Sequence, residues 1–92
     1  MANVLVVVKV YPSGVDIDFE KLVDEIRKKL PENYTIARSA EEPIAFGYKA
    51  LKLHVVIPEE TEGGTEQLEE LIKSVNLVDE VEVEAVHRIS EF

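Results

Sequence analysis

Few side chains in this chain are of a type and spacing that does covalent chemistry. Cysteine is absent, which removes thiol nucleophiles, thiolate metal ligands, iron–sulfur clusters and disulfides together. His54 and His87 stand far apart with no ligand-spaced partner, so neither reads as a zinc or iron ligand. Ser13, Ser39, Ser74 and Ser90 lie in no nucleophile-elbow context. Carboxylates are plentiful. Glu82 and Glu84 share one strand face by period two, and Glu69 and Glu70 sit on a helix surface. With no apolar pocket evident to raise a pKa, they read as solvated faces and not as an acid–base pair. Gly63-Gly64-Thr65 precedes a helix but lacks the spacing and lysine of a phosphate-binding loop, and Glu59, Glu60, Glu62 and Glu66 would repel phosphate. These residue types nominate no catalytic residue, no metal site and no cofactor.

Two overlapping stretches remain. Phe46-Gly47-Tyr48-Lys49-Ala50-Leu51 overlaps the RNA-recognition signature, in which strand aromatics stack bases. Here Ile44-Ala45 stands in place of the basic-Gly start, Leu51 replaces the last aromatic, and the first strand has no aromatic in its interior. Pro43-Ile44-Ala45-Phe46-Gly47 is apolar for a loop. Either Ile44 and Phe46 fold back over the end of the core, or they form an exposed anchor. An aromatic carried on rigid strands is a low-entropy plug for a partner's pocket.

The elements that position these residues follow from hydrophobic periodicity. Residues 3–11 are β-branched and bounded by Pro12, Ser13 and Gly14; five consecutive apolar residues predict a central strand covered on both faces. Asp16 or Asp18 can cap a helix, along which Phe19, Leu22, Val23, Ile26 and Leu30 form one stripe until Pro31. Residues 33–41 predict a weaker edge strand, and 42–47 a turn-like segment. Residues 48–57 alternate, with Leu51, Leu53, Val55 and Ile57 on one face. An acidic loop (Glu59 to Gly64) follows, then Thr65 as a candidate N-cap and a second stripe of Leu68, Leu71, Ile72 and Val75. Residues 80–89 alternate strictly from Val81 to Ala85, a strand with one wet face. The order β-α-β-β-α-β predicts an α+β ferredoxin-like sandwich, a four-stranded antiparallel sheet with both helices on one face. Right-handed crossovers give strand order 4-1-3-2.

Composition sets the outer bounds. Ninety-two residues predict a single domain over 1–92, and 46% hydrophobic content excludes a disordered chain. The net charge of -9 disfavours direct nucleic-acid binding and anionic membranes. The apolar run Val4 to Val8 stops at Lys9, too short to span a bilayer, so a cytoplasmic location is expected. The acidity is local: residues 59–84 hold ten acids and one base, Lys73, and the rest of the chain balances to zero. That region is expected to steer the protein onto a partner with basic patches.

The chain resembles translation elongation factor 1-beta of the archaeal type, the guanine-nucleotide exchange factors for elongation factor 1-alpha. The likeness is carried by Glu42-Pro43-Ile44-Ala45-Phe46-Gly47-Tyr48-Lys49-Ala50-Leu51, by Glu62-Gly63-Gly64-Thr65, and by Glu84-Ala85-Val86-His87-Arg88-Ile89. The resemblance implies binding to the GDP-bound and nucleotide-free forms of that partner, with Pro43, Ile44, Phe46 and Lys49 at the contact. It also implies that Arg88 reaches the partner's Mg²⁺ and phosphate region, where a cation weakens nucleotide affinity. No covalent chemistry is implied, only differential binding. In the expected topology Phe46 precedes the third strand and Arg88 ends the parallel fourth, which places them about 30 Å apart.

Overall fold

The computed structural model describes residues 3–59 and 65–89. Its elements run β1 (Asn3–Pro12), α1 (Phe19–Lys29), β2 (Thr35–Ala45), β3 (Tyr48–Pro58), α2 (Glu66–Lys73) and β4 (Val78–Ile89). The strands form one sheet in the order β2-β3-β1-β4, each neighbouring pair antiparallel. This is the ferredoxin-like α+β arrangement expected, with β1 inside the sheet. Val6, Val8 and Val10 turn to the helix side and are fully buried, and Val7 on the opposite side is buried as well. The continuous apolar run of β1 therefore reports burial on both faces.

The core is where the helix stripes meet the sheet. Leu22 and Ile26 from α1, and Leu68 and Ile72 from α2, pack with Leu51, Leu53, Val55 and Ile57 of β3. Asp18 caps α1 by accepting a bond from the Glu20 N–H at 3.0 Å. The helix stops as Leu30 turns extended ahead of Pro31, whose ring would clash with a continuing turn.

Three local expectations are corrected. Thr65 precedes α2, but its hydroxyl makes no capping bond and its backbone is already helical; the helix start relies on Glu66 and Glu69 beside the positive end of the dipole. The segment 42–47 is not all turn: β2 continues to Ala45. Pro43 is tolerated because β2 is an edge strand, where a missing N–H need not break a ladder. In β4 the alternation breaks. Val83 pairs with Val8 and Ala85 with Val7, so Glu84 is an extra residue at a register shift. From there on the faces invert. Ala85 turns to the open face of the sheet, while Val86 and Arg88, opposite Val6 and Val4, turn to the helix side. The glycine loop expected to contain Gly63 and Gly64 lies outside the described residues.

Candidate functional site

The β2–β3 ladder closes at Ala45 opposite Tyr48, leaving a two-residue turn, Phe46-Gly47. Both have positive φ, 51° and 78°, the backbone that lets a tight hairpin follow the twist of its strands. Gly47 suits this position through its conformational freedom, since nothing lies within 4 Å of where a Cβ would sit. Phe46 does not suit it. It is the one non-glycine with positive φ among the described residues, and for a bulky side chain that conformation costs about 1–2 kcal/mol. Its ring gains nothing in folding, being fully exposed at 104%. Of the two readings of this segment, the exposed anchor is the one observed.

The neighbours complete a cap. Ile44 falls at the register shift between Pro43 and Ala45 and is 43% exposed; Pro43 is exposed beside it. Lys49 stands opposite Pro43, with its ammonium 3.2 Å from the Glu41 carboxylate. Behind the tip, the Tyr48 hydroxyl donates a 2.5 Å bond to the Pro12 carbonyl, fastening the hairpin to the end of β1. Burial, then the Asp79 charge and Tyr11, push the Tyr48 phenol above its ordinary value of 10.0, so it stays a donor across the physiological range.

Arg88 lies at the other end of the molecule. Its register partner Val4 also faces Ile57, and β3 runs from Ile57 back to the tip. At 3.3 Å per residue the tip and Arg88 are about 30 Å apart, within a longest dimension of 42 Å. The Arg88 guanidinium is ion-paired with Glu59, and Val86 beside it is 53% exposed. The structure thus brings Pro43, Ile44, Phe46 and Lys49 together and leaves Arg88 apart. Sequence reading missed Glu41 and Glu59 as partners of the two cations. Single carboxylates in an acid-rich chain carry no signal that distinguishes them.

On the open face two of the three described cations are ion-paired, while Arg38, opposite His54, is exposed without an ion-pair partner among the described residues. Lys9 lies 3.7 Å from Glu42 and Lys52 3.6 Å from Glu84. Burial works against the Lys9 ammonium, yet Glu42, Tyr11 and Glu84 together hold its pKa above the ordinary 10.5. Among the described residues no three His, Asp or Glu side chains gather where they could hold a metal ion. No described helix is long and apolar enough to cross a membrane.

Residues 5–89 match the family described as the EF-1 guanine nucleotide exchange domain. The chain belongs to this family. It is 60% identical to elongation factor 1-beta of Hyperthermus butylicus over 92 residues, covering 100% of both chains. Identity to the elongation factor 1-beta of Staphylothermus marinus is 58% over 98% of this chain and 100% of that one. For Aeropyrum pernix it is 55%, over 97% and 99%. The role that follows is guanine-nucleotide exchange in translation elongation, and membership implies interaction with elongation factor 1-alpha. Among solved structures, the C-terminal domain of the MgtC protein from Mycobacterium tuberculosis aligns with a TM-score of 0.53 at 17% identity, over 96% of this chain and 85% of that one. That likeness concerns the fold alone.

Proposed function

We propose that the chain acts as one exchange unit over 1–92 in the cytoplasm, binding GDP-loaded elongation factor 1-alpha and favouring its nucleotide-free form until GTP enters. Regenerating the GTP form restores delivery of aminoacyl-tRNA. The unit works by binding, without covalent chemistry. Phe46 carries this reading: a bulky ring held in a costly backbone conformation, fully exposed, is maintained for a contact outside the chain. With Pro43, Ile44 and Lys49 it would seat on one part of the partner. Arg88, about 30 Å away, would reach the region where the partner holds Mg²⁺ and phosphates. There the guanidinium would leave Glu59 and displace Mg²⁺ by repulsion, and the loss of that ion with rearrangement of the partner's switch loops would weaken its hold on the nucleotide. A ligand that binds the nucleotide-free state more tightly than the loaded state must favour release, and displacement of Mg²⁺ would speed it.

With Lys9 and Lys52 ion-paired, Arg38 is left as the one described open-face Lys or Arg without such a partner, which falls short of the positively charged groove that the RNA-binding alternative needs. The direct test is release of a fluorescent GDP from the cognate elongation factor 1-alpha. Wild-type protein is expected to accelerate it, and Phe46→Ala to remove most of the acceleration. Release unchanged by the wild-type protein would sink the proposal.

A further inference from the structure

The hairpin tip alone is too small to hold a protein partner. One aromatic ring buries about 150–250 Å², whereas a stable interface takes about 800 Å² from each side. Adjoining surface must contribute, and the molecule offers it on one side. A cavity of about 190 Å³ lies against the tip, walled by Val15, Ile17 and Phe19 before and at the start of α1, and by Glu41, Gly47 and Lys49 of the hairpin. Phe19 and Glu41 also wall a second groove of about 420 Å³ between α1 and β2, floored by Leu51 and flanked by Val23 and Ser39. The two cavities are therefore neighbours that share the Phe19 and Glu41 side chains as a common wall, and they follow one another away from the tip.

Val15 stands at the mouth of the smaller one. It is 69% exposed and is not among the residues packed on the core, so its side chain contributes little to folding. The rim of the two cavities is acidic, with Glu20, Asp24 and Glu41 against Lys49. Asp24 and Glu41 are already matched, by Arg27 at 3.3 Å and Lys49 at 3.2 Å. Glu20 has no ion-pair partner among the described residues, and a facing cation would complete it.

We propose that elongation factor 1-alpha continues from the Phe46 contact across Val15 and lays an apolar segment carrying a basic side chain in the groove between α1 and β2. The inference rests on the proposed role of the tip. Continuity with the tip identifies the occupant, and the apolar floor under an acidic rim fixes its chemistry. The surface adds apolar and acidic contacts to what a two-residue turn can offer alone.

The experiment is titration of nucleotide-free elongation factor 1-alpha with the full chain and four variants, Val15→Asp, Val15→Ser, Ser39→Trp and Phe46→Ala, each first compared with wild type in melting temperature. Val15→Asp puts a charge in the apolar mouth and Ser39→Trp fills the groove; both positions are exposed. Each is expected to weaken binding about tenfold, and Val15→Ser about threefold should the aspartate disturb the loop. Wild-type affinity in either Val15→Ser or Ser39→Trp, while Phe46→Ala binds weakly, would overturn the extended surface and leave the tip standing. Wild-type affinity in Phe46→Ala as well would instead remove the reading of the tip on which the extension rests.

Discussion

Phe46 and Arg88 make different demands on the residues around them, and they should fail differently when altered. At position 46 an asparagine tolerates positive φ far better than phenylalanine. Phe46→Asn is therefore expected to raise unfolding stability by about 1 kcal/mol, read as a shifted denaturant midpoint with an unchanged slope. The same variant should lose exchange activity, a trade of function for stability at a single residue. An unchanged or lower midpoint would show that the turn is not strained. Arg88 is exposed and ion-paired with Glu59, so neither partner is needed for folding. Arg88→Ala should lower the maximal rate of GDP release while leaving the concentration dependence near wild type. Phe46→Ala should mainly raise the concentration required. Glu59→Gln frees the guanidinium and is expected to speed release at low salt. Equal effects of Arg88→Ala and Phe46→Ala on both parameters would contradict two separated roles.

At the scale of elements, the frame that holds the two residues apart depends on ordinary helix and strand physics. Asp18 provides the described side-chain cap of α1, and Asp18→Ala is expected to lower stability by about 1 kcal/mol. Because α1 walls the groove beside the tip, thermal unfolding should register this loss before any change in exchange at moderate temperature. A wild-type melting temperature would show the cap to be idle. The helices, β1 and β3 were legible in the sequence because each has a one-sided or continuous apolar pattern. The end of β2 and the phase of β4 were not. Pro43 argues against a strand unless the strand is known to be an edge, and edge position depends on pairing. The extra residue at Glu84 preserves a plausible alternation on paper, while the partner register shows that the faces invert there. Without that inversion Arg88 would share the open face with Glu82.

The whole molecule carries its acidity along α2 and β4, an edge of the sheet remote from β2. Most of that charge is exposed, and part of it is bound locally. Glu80 accepts a 3.0 Å bond from the Val81 N–H and lies 3.2 Å from the Lys73 ammonium, which together hold its pKa below the ordinary 4.5. A carboxyl whose pKa is lower folded than unfolded stabilises the fold above the unfolded value, and the contribution disappears as pH falls through the folded value. Wild type should thus melt higher than Glu80→Gln near neutral pH, and the gap should close on acidification below about pH 4.5. A gap independent of pH would exclude ionisation of Glu80 as its cause. This strap ties α2 to the start of β4.

Element order, both helix stripes and the double-sided burial of β1 were readable along the chain, because periodicity and β-branching act through near neighbours. Pro43 to Gly47 likewise stood out as apolar where a polar turn was due, with the direction of those side chains left open. Their direction follows from the folded hairpin. The ladder fixes a two-residue turn with positive φ at Phe46, and the ring stands fully exposed, covered by no other described element. Likewise Val15 beside the tip, Glu59 on Arg88 and the inverted face of β4 each depend on which strands and loops meet. Such meetings are set by long-range pairing and packing, which local spacing does not encode.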